Sequence, residues 1–279
     1  MGVKVVTDSL SDITEDVAKR FGITVVPAYV RFGNEIFRDR IDITTDEFYL
    51  RLSRDDVFPS TTQPTPADFL AAFENLSSQT DEILTVCLSS KLSGTYQSAL
   101  TAKTMYTGSA QIEVIDSGLV IMSLGLVVIY AAKLANRGAG LAEIKDEVMR
   151  LLGHSRPVML MNTLKYLEKG GRIGKAKAFL GSLLSLKYIL TLKDGEVFPL
   201  TRVRSRHAGI EYLYNFAMSF KKVDSIAVEY ATDEGDADYL VERLMRVYPA
   251  ESIYKSTISP VIGAYVGPGA LSVSVLEVP

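Results

Sequence analysis

Short apolar runs alternate with longer segments of mixed polarity through the first half of the chain. Apolar runs rich in β-branched residues predict strands, and apolar residues at helical spacing predict helices. The predicted strands are residues 3–7, 23–30, 82–88 and 112–115, and the predicted helices are 13–21, 45–52, 66–76, 95–105, 119–134 and 141–152. This alternation is typical of a parallel sheet with helices on its faces.

Local signals mark several helix ends in this half. Asp12 and Glu15 are spaced as an N-cap residue and its capping-box partner, and Gly22 is predicted to end the same helix. Thr65-Pro66 supplies an N-cap followed by proline at the first helical position. The polar segment 60–64 before it is predicted to be a loop.

The second half contains a hairpin signal, Asp194-Gly195, which predicts antiparallel strands at 188–192 and 196–201. Gly170-Gly171 interrupts a predicted helical region, so either the helix stops and restarts there or the backbone closely approaches another group. The remaining predicted elements are strands at 158–161, 225–230 and 271–278 and helices at 164–184, 205–220 and 236–247. The change of pattern near residue 160 predicts an N-terminal α/β domain with a parallel sheet over 1–160. A C-terminal α/β domain with a mixed or antiparallel sheet is predicted over 161–279.

Composition narrows the class of protein. Hydrophobic residues make up 47% of the 279 residues, which is ample for a large core, and the net charge of −3 argues against a nucleic-acid partner. The single Cys87 cannot form an intramolecular disulfide, and the apolar run 119–134 is short for a membrane span. No signal peptide is visible. We therefore expect a soluble cytoplasmic protein without stable membrane insertion.

Three segments rich in hydroxyl side chains follow predicted strands: Thr7-Asp8-Ser9, residues 60–64 and residues 89–95. Ligands of open α/β sheets bind where such segments gather at the carboxyl ends of strands. Hydroxyl groups and the amides at helix N-termini suit an anion. The alternative is that these serine and threonine residues simply cap the following helices.

Known catalytic patterns are missing from the sequence. Gly-x-Ser-x-Gly is absent, and the two histidines, His154 and His207, are scattered, which argues against a Ser-His-acid triad. One cysteine and two distant histidines do not form a zinc motif. Neither a phosphate-binding loop nor a dinucleotide-binding glycine pattern occurs. We therefore predict no catalytic residue, no metal and no cofactor.

A basic, glycine-rich stretch covers residues 165–177 and includes Arg172. Arg202, Arg204 and Arg206 add positive charge later in the chain. A basic face on an acidic protein indicates a docking site for an anionic head group or an acidic partner. Ordinary solvated surface charge is the alternative.

Taken together, these segments resemble the DegV family of bacterial fatty-acid-binding proteins. No single piece is specific, but six occur in the family's order between residues 7 and 270. The pieces are Thr7-Asp8-Ser9, Ser60-Thr61-Thr62-Gln63-Pro64, Ser89-Ser90-Lys91-Leu92-Ser93-Gly94-Thr95, Ile115-Asp116-Ser117, the segment 164–175 with its Lys-Gly-Gly-Arg-Ile core, and the segment 263–270.

The resemblance implies a DegV-like fold of two α/β domains with one long-chain fatty acid buried in a tunnel between them. It also implies that the protein is not an enzyme by itself. A separate ATP-binding kinase subunit phosphorylates the carboxylate in the family, and the acyl phosphate enters phospholipid synthesis. Apolar residues of the predicted helical segments 117–134 and 176–186 are candidates for lining the tunnel.

The resemblance also assigns roles to particular residues. Thr61, Thr62 and Ser93 would hydrogen-bond the carboxylate, with the amide of Gly94 close by. Arg172 would lie near the head group or the kinase contact, and Arg202 is a further candidate for kinase docking. Many relatives carry histidine before the Gly-Pro-Gly turn, where this chain has Tyr265.

The substitution at Tyr265 concerns the carboxylate site. A phenol donates a hydrogen bond but carries no positive charge at neutral pH. The substitution therefore affects either carboxylate binding or kinase competence.

Two other functions remain open at this point. The protein could carry a different apolar carboxylic acid, or it could be a stand-alone hydrolase or kinase that uses the serine- and threonine-rich loops.

Overall fold

The computed structural model describes residues 2–54, 57–180 and 186–278. The strands in these ranges form three sheets. They are β1 (Lys4–Asp8), β2 (Ile23–Val26), β3 (Tyr29–Phe32), β4 (Glu35–Arg38), β5 (Ser60–Thr62), β6 (Glu82–Cys87), β7 (Gln111–Asp116), β8 (Ser155–Met161), β9 (Lys187–Lys193), β10 (Glu196–Val203), β11 (Val223–Tyr230), β12 (Ile253–Thr257) and β13 (Leu271–Glu277). The helices are α1 (Glu15–Phe21), α2 (Thr45–Arg54), α3 (Pro66–Ser77), α4 (Thr95–Met105), α5 (Ile121–Asn136), α6 (Leu141–Leu151), α7 (Lys165–Lys169), α8 (Arg206–Met218), α9 (Glu234–Leu244) and α10 (Pro260–Val266).

The first sheet has the strand order β2-β1-β6-β7, and all of its neighbouring strands are parallel. Phe69 and Phe73 of α3 and Ala99 of α4 pack on one face as part of a buried cluster. Helix α5 contacts the other face. The predicted parallel sheet with helices on its faces is therefore confirmed.

The second sheet has the order β10-β9-β8-β13-β11-β12 and is mixed, because β11 and β12 are parallel while the other neighbours are antiparallel. The predicted hairpin is present, with Asp194 at φ 53° and Gly195 at φ 78° between β9 and β10. This sheet begins with β8 at Ser155, and the division near residue 160 stays a prediction.

Helix α5 lies between the two sheets, since it contacts β1 and β6 on one side and β8, β11 and β13 on the other. This position explains why the sequence of α5 is apolar nearly all round. Ile121, Leu124 and Val128 are among its buried residues. None of the helices in the described parts of the chain combines the length and apolar character that crossing a bilayer requires.

A third sheet, β4-β3-β5, was not predicted. The apolar run 23–30 is not one strand, because Pro27 separates β2, which joins the parallel sheet, from β3, which joins the small antiparallel one. Proline lacks the amide that a continuous ladder needs. Segment 60–64 is likewise not simply a loop, since Ser60–Thr62 pairs with β3.

The capping prediction for α1 was partly wrong. Thr14 occupies the N-cap position, while Asp12 has φ 53° and its side chain accepts a hydrogen bond from the Ser259 amide at 3.1 Å. Gly22 ends the helix at φ 71° as predicted. The predicted N-cap at Thr65 is confirmed, and the structure adds a capping box, since the side chains of Thr65 and Asp68 bond to each other's backbone amides.

The region predicted as one helix over 164–184 is broken. Helix α7 ends at Lys169, and a 3-10 segment runs from Gly174 to Phe179. A Cβ on Gly170 would lie 2.4 Å from Cδ1 of Tyr265, so the backbone also approaches a neighbour closely. The helix therefore stops at the two glycines, and the backbone closely approaches another group there, as the two explanations predicted. The end of the predicted helix, at 181–184, lies outside the described residues.

Candidate ligand cavity

A cavity of about 350 Å³ lies between the two large sheets. Most of its wall is apolar, and each part of the wall comes from a different element. The apolar lining includes Leu10 after β1, Leu88 after β6, Val120 and Ile121 at the start of α5, Met159 and Met161 of β8, Leu190 of β9, and Val261 and Ile262 of α10. The parallel sheet therefore contributes the carboxyl ends of its strands, as expected for open α/β sheets.

Polar side chains gather at one end of this cavity. The hydroxyl groups of Thr61 and Tyr265 are hydrogen-bonded to each other. The guanidinium of Arg172 lies 5.3 Å from the centre of the Tyr265 ring, and its Nε donates to the Leu92 carbonyl at 3.2 Å. Ser93 follows Leu92 and lines the same cavity. Strand β5, helix α10 and the loops before α4 and after α7 thus bring their polar groups to one place.

The loop before α4 is packed against β5. A Cβ on Gly94 would lie 2.5 Å from Oε1 of Gln63, so a larger residue would displace that side chain. Gln63 Nε2 donates to the Ser98 hydroxyl at 3.2 Å, and the hydroxyl of Ser93 bonds to that of Thr95 at 2.9 Å. These contacts fix Ser93 at the polar end of the cavity.

A polar surface depression of about 410 Å³ adjoins this end. It shares Leu92, Ser93, Arg172 and Val197 with the cavity. Its other lining residues include Ser90, Lys91, Gly94 and Gly171. The polar end of the cavity is therefore next to a polar, glycine-lined part of the surface, whose charged residues are Lys91, Arg172 and Glu196.

The predicted site residues lie in three different places. Thr61, Thr62, Ser93, Arg172 and Tyr265 line the cavity, while Gly94 lines the adjoining depression. Arg202 is not among the described residues that line the cavity. Its guanidinium lies 5.0 Å from the ring centre of Phe179.

The predicted tunnel-lining helices are only partly represented. Val120 and Ile121 line the cavity from segment 117–134. From segment 176–186, the described residues 176–180 and 186 are not part of the lining, and 181–185 lie outside the described residues.

Four fully buried carboxylates behind the cavity wall were not predicted as a group. Each accepts a hydrogen bond from the backbone amide of a lining residue or of a residue within two positions of one. Asp8 binds the amides of Leu10 and Leu88, Asp12 that of Ser259, Asp39 that of Val261 and Glu229 that of Met122. The four side chains therefore hold the start of α5, the start of α10 and the ends of β1 and β6 in position.

Glu229 fixes a strained backbone. Ile121 lines the cavity, and its backbone φ is 55°. A positive φ is rare for a β-branched residue. Glu229 Oε1 accepts the amide of the next residue, Met122, at 3.0 Å, and its Oε2 accepts the Ser272 hydroxyl at 2.7 Å. Backbone strain of this kind persists only when the surroundings over-determine it. Burial raises the pKa of Glu229 well above its usual value, and the nearby Asp12 carboxylate raises it further.

Burial also raises the pKa of Asp8 and of Asp39 to about 7. Both groups titrate near pH 3.9 in an unfolded chain. Between those pH values the folded protein therefore binds more protons than the unfolded chain, and stability falls as pH rises through the window.

We expect the unfolding free energy to be higher at pH 5.5 than at pH 8, by about 2 kcal/mol for each of these two groups. Denaturant unfolding at the two pH values measures the difference, and Asp39→Asn should reduce it. Greater stability at pH 8 would contradict the prediction.

A parallel sheet and a mixed sheet with an apolar cavity between them, polar at one end, define the class as an α/β protein with an internal cavity. A family model described as "Uncharacterised protein, DegV family" matches residues 2–278. The chain therefore belongs to the DegV family, and the resemblance seen in the sequence is confirmed.

Relatives extend over the whole chain. A DegV domain-containing protein from Caldanaerobacter subterraneus subsp. tengcongensis is 34% identical over 275 residues, which is 97% of each chain. The structure of a DegV family protein from Thermus thermophilus, described as showing fatty acid binding, has a TM-score of 0.90 at 33% identity, and 100% of each chain is covered. DegV from Bacillus subtilis, described as a fatty acid binding protein, gives a TM-score of 0.90 at 29% identity, again with 100% of each chain covered.

Proposed function

We propose that this protein binds one long-chain fatty acid in the cavity between its two sheets. The observation that carries the proposal is the distribution of polarity, with an apolar wall along the cavity and Thr61, Ser93, Arg172 and Tyr265 together at one end. An amphipathic ligand with an acidic head and a long apolar tail matches that distribution. Fatty acid binding by the relatives from T. thermophilus and B. subtilis supports it.

The tail would supply most of the affinity. Burial of a methylene group contributes about 0.8 kcal/mol, so an acyl chain of some fourteen methylenes would contribute roughly 10 kcal/mol before entropy losses. Neutral hydroxyl groups are then sufficient to orient the carboxylate. Arg172 lies close enough to the Tyr265 ring to add favourable potential at the head group.

We further propose that the protein presents the carboxylate to a separate ATP-binding kinase subunit and catalyses nothing alone. The polar depression beside Ser93 and Arg172 supports this, because it gives a partner access to the polar end. Arg202 is proposed as a second contact with that partner. The resulting acyl phosphate would enter phospholipid synthesis in the bacterial cytoplasm. The boundary near residue 160, with the tunnel between two domains, belongs to the same proposal.

A carrier of another apolar carboxylic acid is the second candidate. The cavity wall is built from aliphatic and methionine side chains, which suit a flexible acyl chain as well as an isoprenoid one. The identity of the bound acid, obtained by mass spectrometry, decides between the two. A stand-alone hydrolase or kinase would instead require turnover by the isolated protein.

Tyr265→Phe tests how the head group is recognised. Removing this hydroxyl should weaken binding of palmitate by about tenfold, because a hydrogen bond to a charged group contributes about 1.5–3 kcal/mol. Binding of methyl palmitate should change little, since the ester carries no charge. Titration calorimetry measures both affinities.

Tyr166→Phe is the matched control. Tyr166 stacks on Phe58 and is not part of the described cavity lining, so loss of its hydroxyl should leave both affinities unchanged. Equal weakening of acid and ester by Tyr265→Phe would contradict the assigned role.

A further inference from the structure

A second cavity lies behind one end wall of the first. Its volume is about 540 Å³, and its apolar lining includes Leu119, Leu152, Val158 and Phe216. Pro157, Thr191 and Leu192 line both cavities, so these three residues form the partition between them. None of the polar head-group residues Thr61, Ser93 or Tyr265 lines the second cavity. The partition therefore separates the second cavity from the first, and the second cavity has none of these three polar side chains in its wall.

The sheet itself creates the gap that the second cavity occupies. The β8–β9 ladder runs from Met161↔Tyr188 to Val158↔Thr191 and stops there, although both strands continue. Pro157 is the next residue of β8, and proline has no amide to donate to the ladder. Beyond this point the two strands are no longer paired with each other, while β8 continues along β13 and β9 along β10.

A single side-chain hydrogen bond replaces the missing ladder contact. The Thr191 hydroxyl donates to the Pro157 carbonyl at 2.6 Å. Beyond it the partition consists of the side chains of Pro157 and Leu192, and Leu192 is only partly buried. A wall of this kind is thin, since apolar space lies on both sides of it.

We propose that the second cavity is the terminal compartment of the acyl site and that Leu192, supported by Thr191 and Pro157, sets the longest chain the protein binds. This inference rests on the proposed function, because the compartment receives the end of the same tail. The ligand class is a saturated or monounsaturated fatty acid whose chain is longer than the first cavity can hold. Charged Arg156 and Asp194 lie at the outer side of the compartment, which limits how far an apolar tail extends.

Leu192→Ala tests the partition. Each further buried methylene strengthens binding about fourfold, so opening the wall should raise the affinity for docosanoate relative to hexadecanoate by at least roughly tenfold. Thr191→Val removes the hydrogen bond to Pro157 at nearly constant volume and should shift the ratio in the same direction. Competition against a fluorescent fatty acid measures both affinities, and circular dichroism confirms folding.

Leu190→Ala is the matched control, because Leu190 lines the first cavity and not the second. It should weaken both acids by similar factors. If the wild type binds hexadecanoate but both partition variants keep its chain-length ratio, the inference is overturned and the proposed function stands. If the wild type binds neither acid, the proposed function and the inference fail together.

Discussion

Replacing Met159 with tryptophan is expected to weaken binding of a long-chain fatty acid by at least tenfold while the fold is retained. Met159 lies on β8 in the second sheet, yet it is only partly buried because its side chain faces the cavity. An indole group there would occupy space that the acyl chain needs. Losing room for about four methylenes corresponds to roughly 3 kcal/mol, or more than a hundredfold in affinity.

Met149→Trp provides the control for this prediction. Met149 is on α6 and 54% exposed, so the same substitution adds its bulk to solvent. Its fatty-acid affinity should match the wild type. Displacement of a fluorescent fatty acid measures both variants, and thermal unfolding confirms that they are folded. Unchanged affinity in Met159→Trp would mean that the ligand lies elsewhere.

Asp12→Ala is expected to lower the unfolding free energy by about 3–5 kcal/mol. The Asp12 carboxylate is fully buried, lies 3.4 Å from the Arg40 guanidinium and accepts the Ser259 amide at 3.1 Å. Its removal would leave a largely buried arginine without this partner and a buried amide unsatisfied.

Asp12→Asn separates the loss of charge from the loss of the acceptor. Asparagine tolerates the φ of 53° at this position and keeps an oxygen for the Ser259 amide, so it should cost less than alanine. Equilibrium unfolding in urea measures both variants. An Asp12→Ala protein within about 1 kcal/mol of the wild type would show that the buried carboxylate is not structurally required.

Elements specified by adjacent residues could be predicted from the sequence. The Asp194-Gly195 turn and the N-cap at Thr65 depend on a few neighbouring positions, and both were found where expected. The apolar run 119–134 was predicted as a helix, and most residues of α5 are buried. The helix is buried because it lies between two sheets, a position that its own sequence does not reveal.

Features that depend on distant contacts escaped prediction. Asp12 has the spacing of an N-cap residue, but its carboxylate is used by Ser259, which is 247 positions away. The run 23–30 is apolar throughout, so its pattern does not reveal that its two halves belong to different sheets. Strand β12 and helix α10 were missed altogether, and α10 carries Tyr265 and part of the cavity wall.

The candidate site was predicted through resemblance more than through pattern. Hydroxyl-rich segments alone left helix capping as an equal alternative, and in the structure Thr61 and Ser93 of these segments line the cavity. Buried carboxylates gave no local signal, because acidic residues are usually exposed. Asp8 was noted only as part of a loop, although its two oxygens hold the amides of Leu10 and Leu88.

Mass spectrometry of the purified wild-type protein tests the central claim most directly. Native mass should exceed the mass of the chain by that of one long-chain fatty acid, and denaturation followed by organic extraction should release the same acid. The polarity of the cavity, apolar along its wall and polar near Thr61 and Tyr265, predicts this result. A protein that carries no fatty acid and takes up neither added oleate nor palmitate would contradict the account.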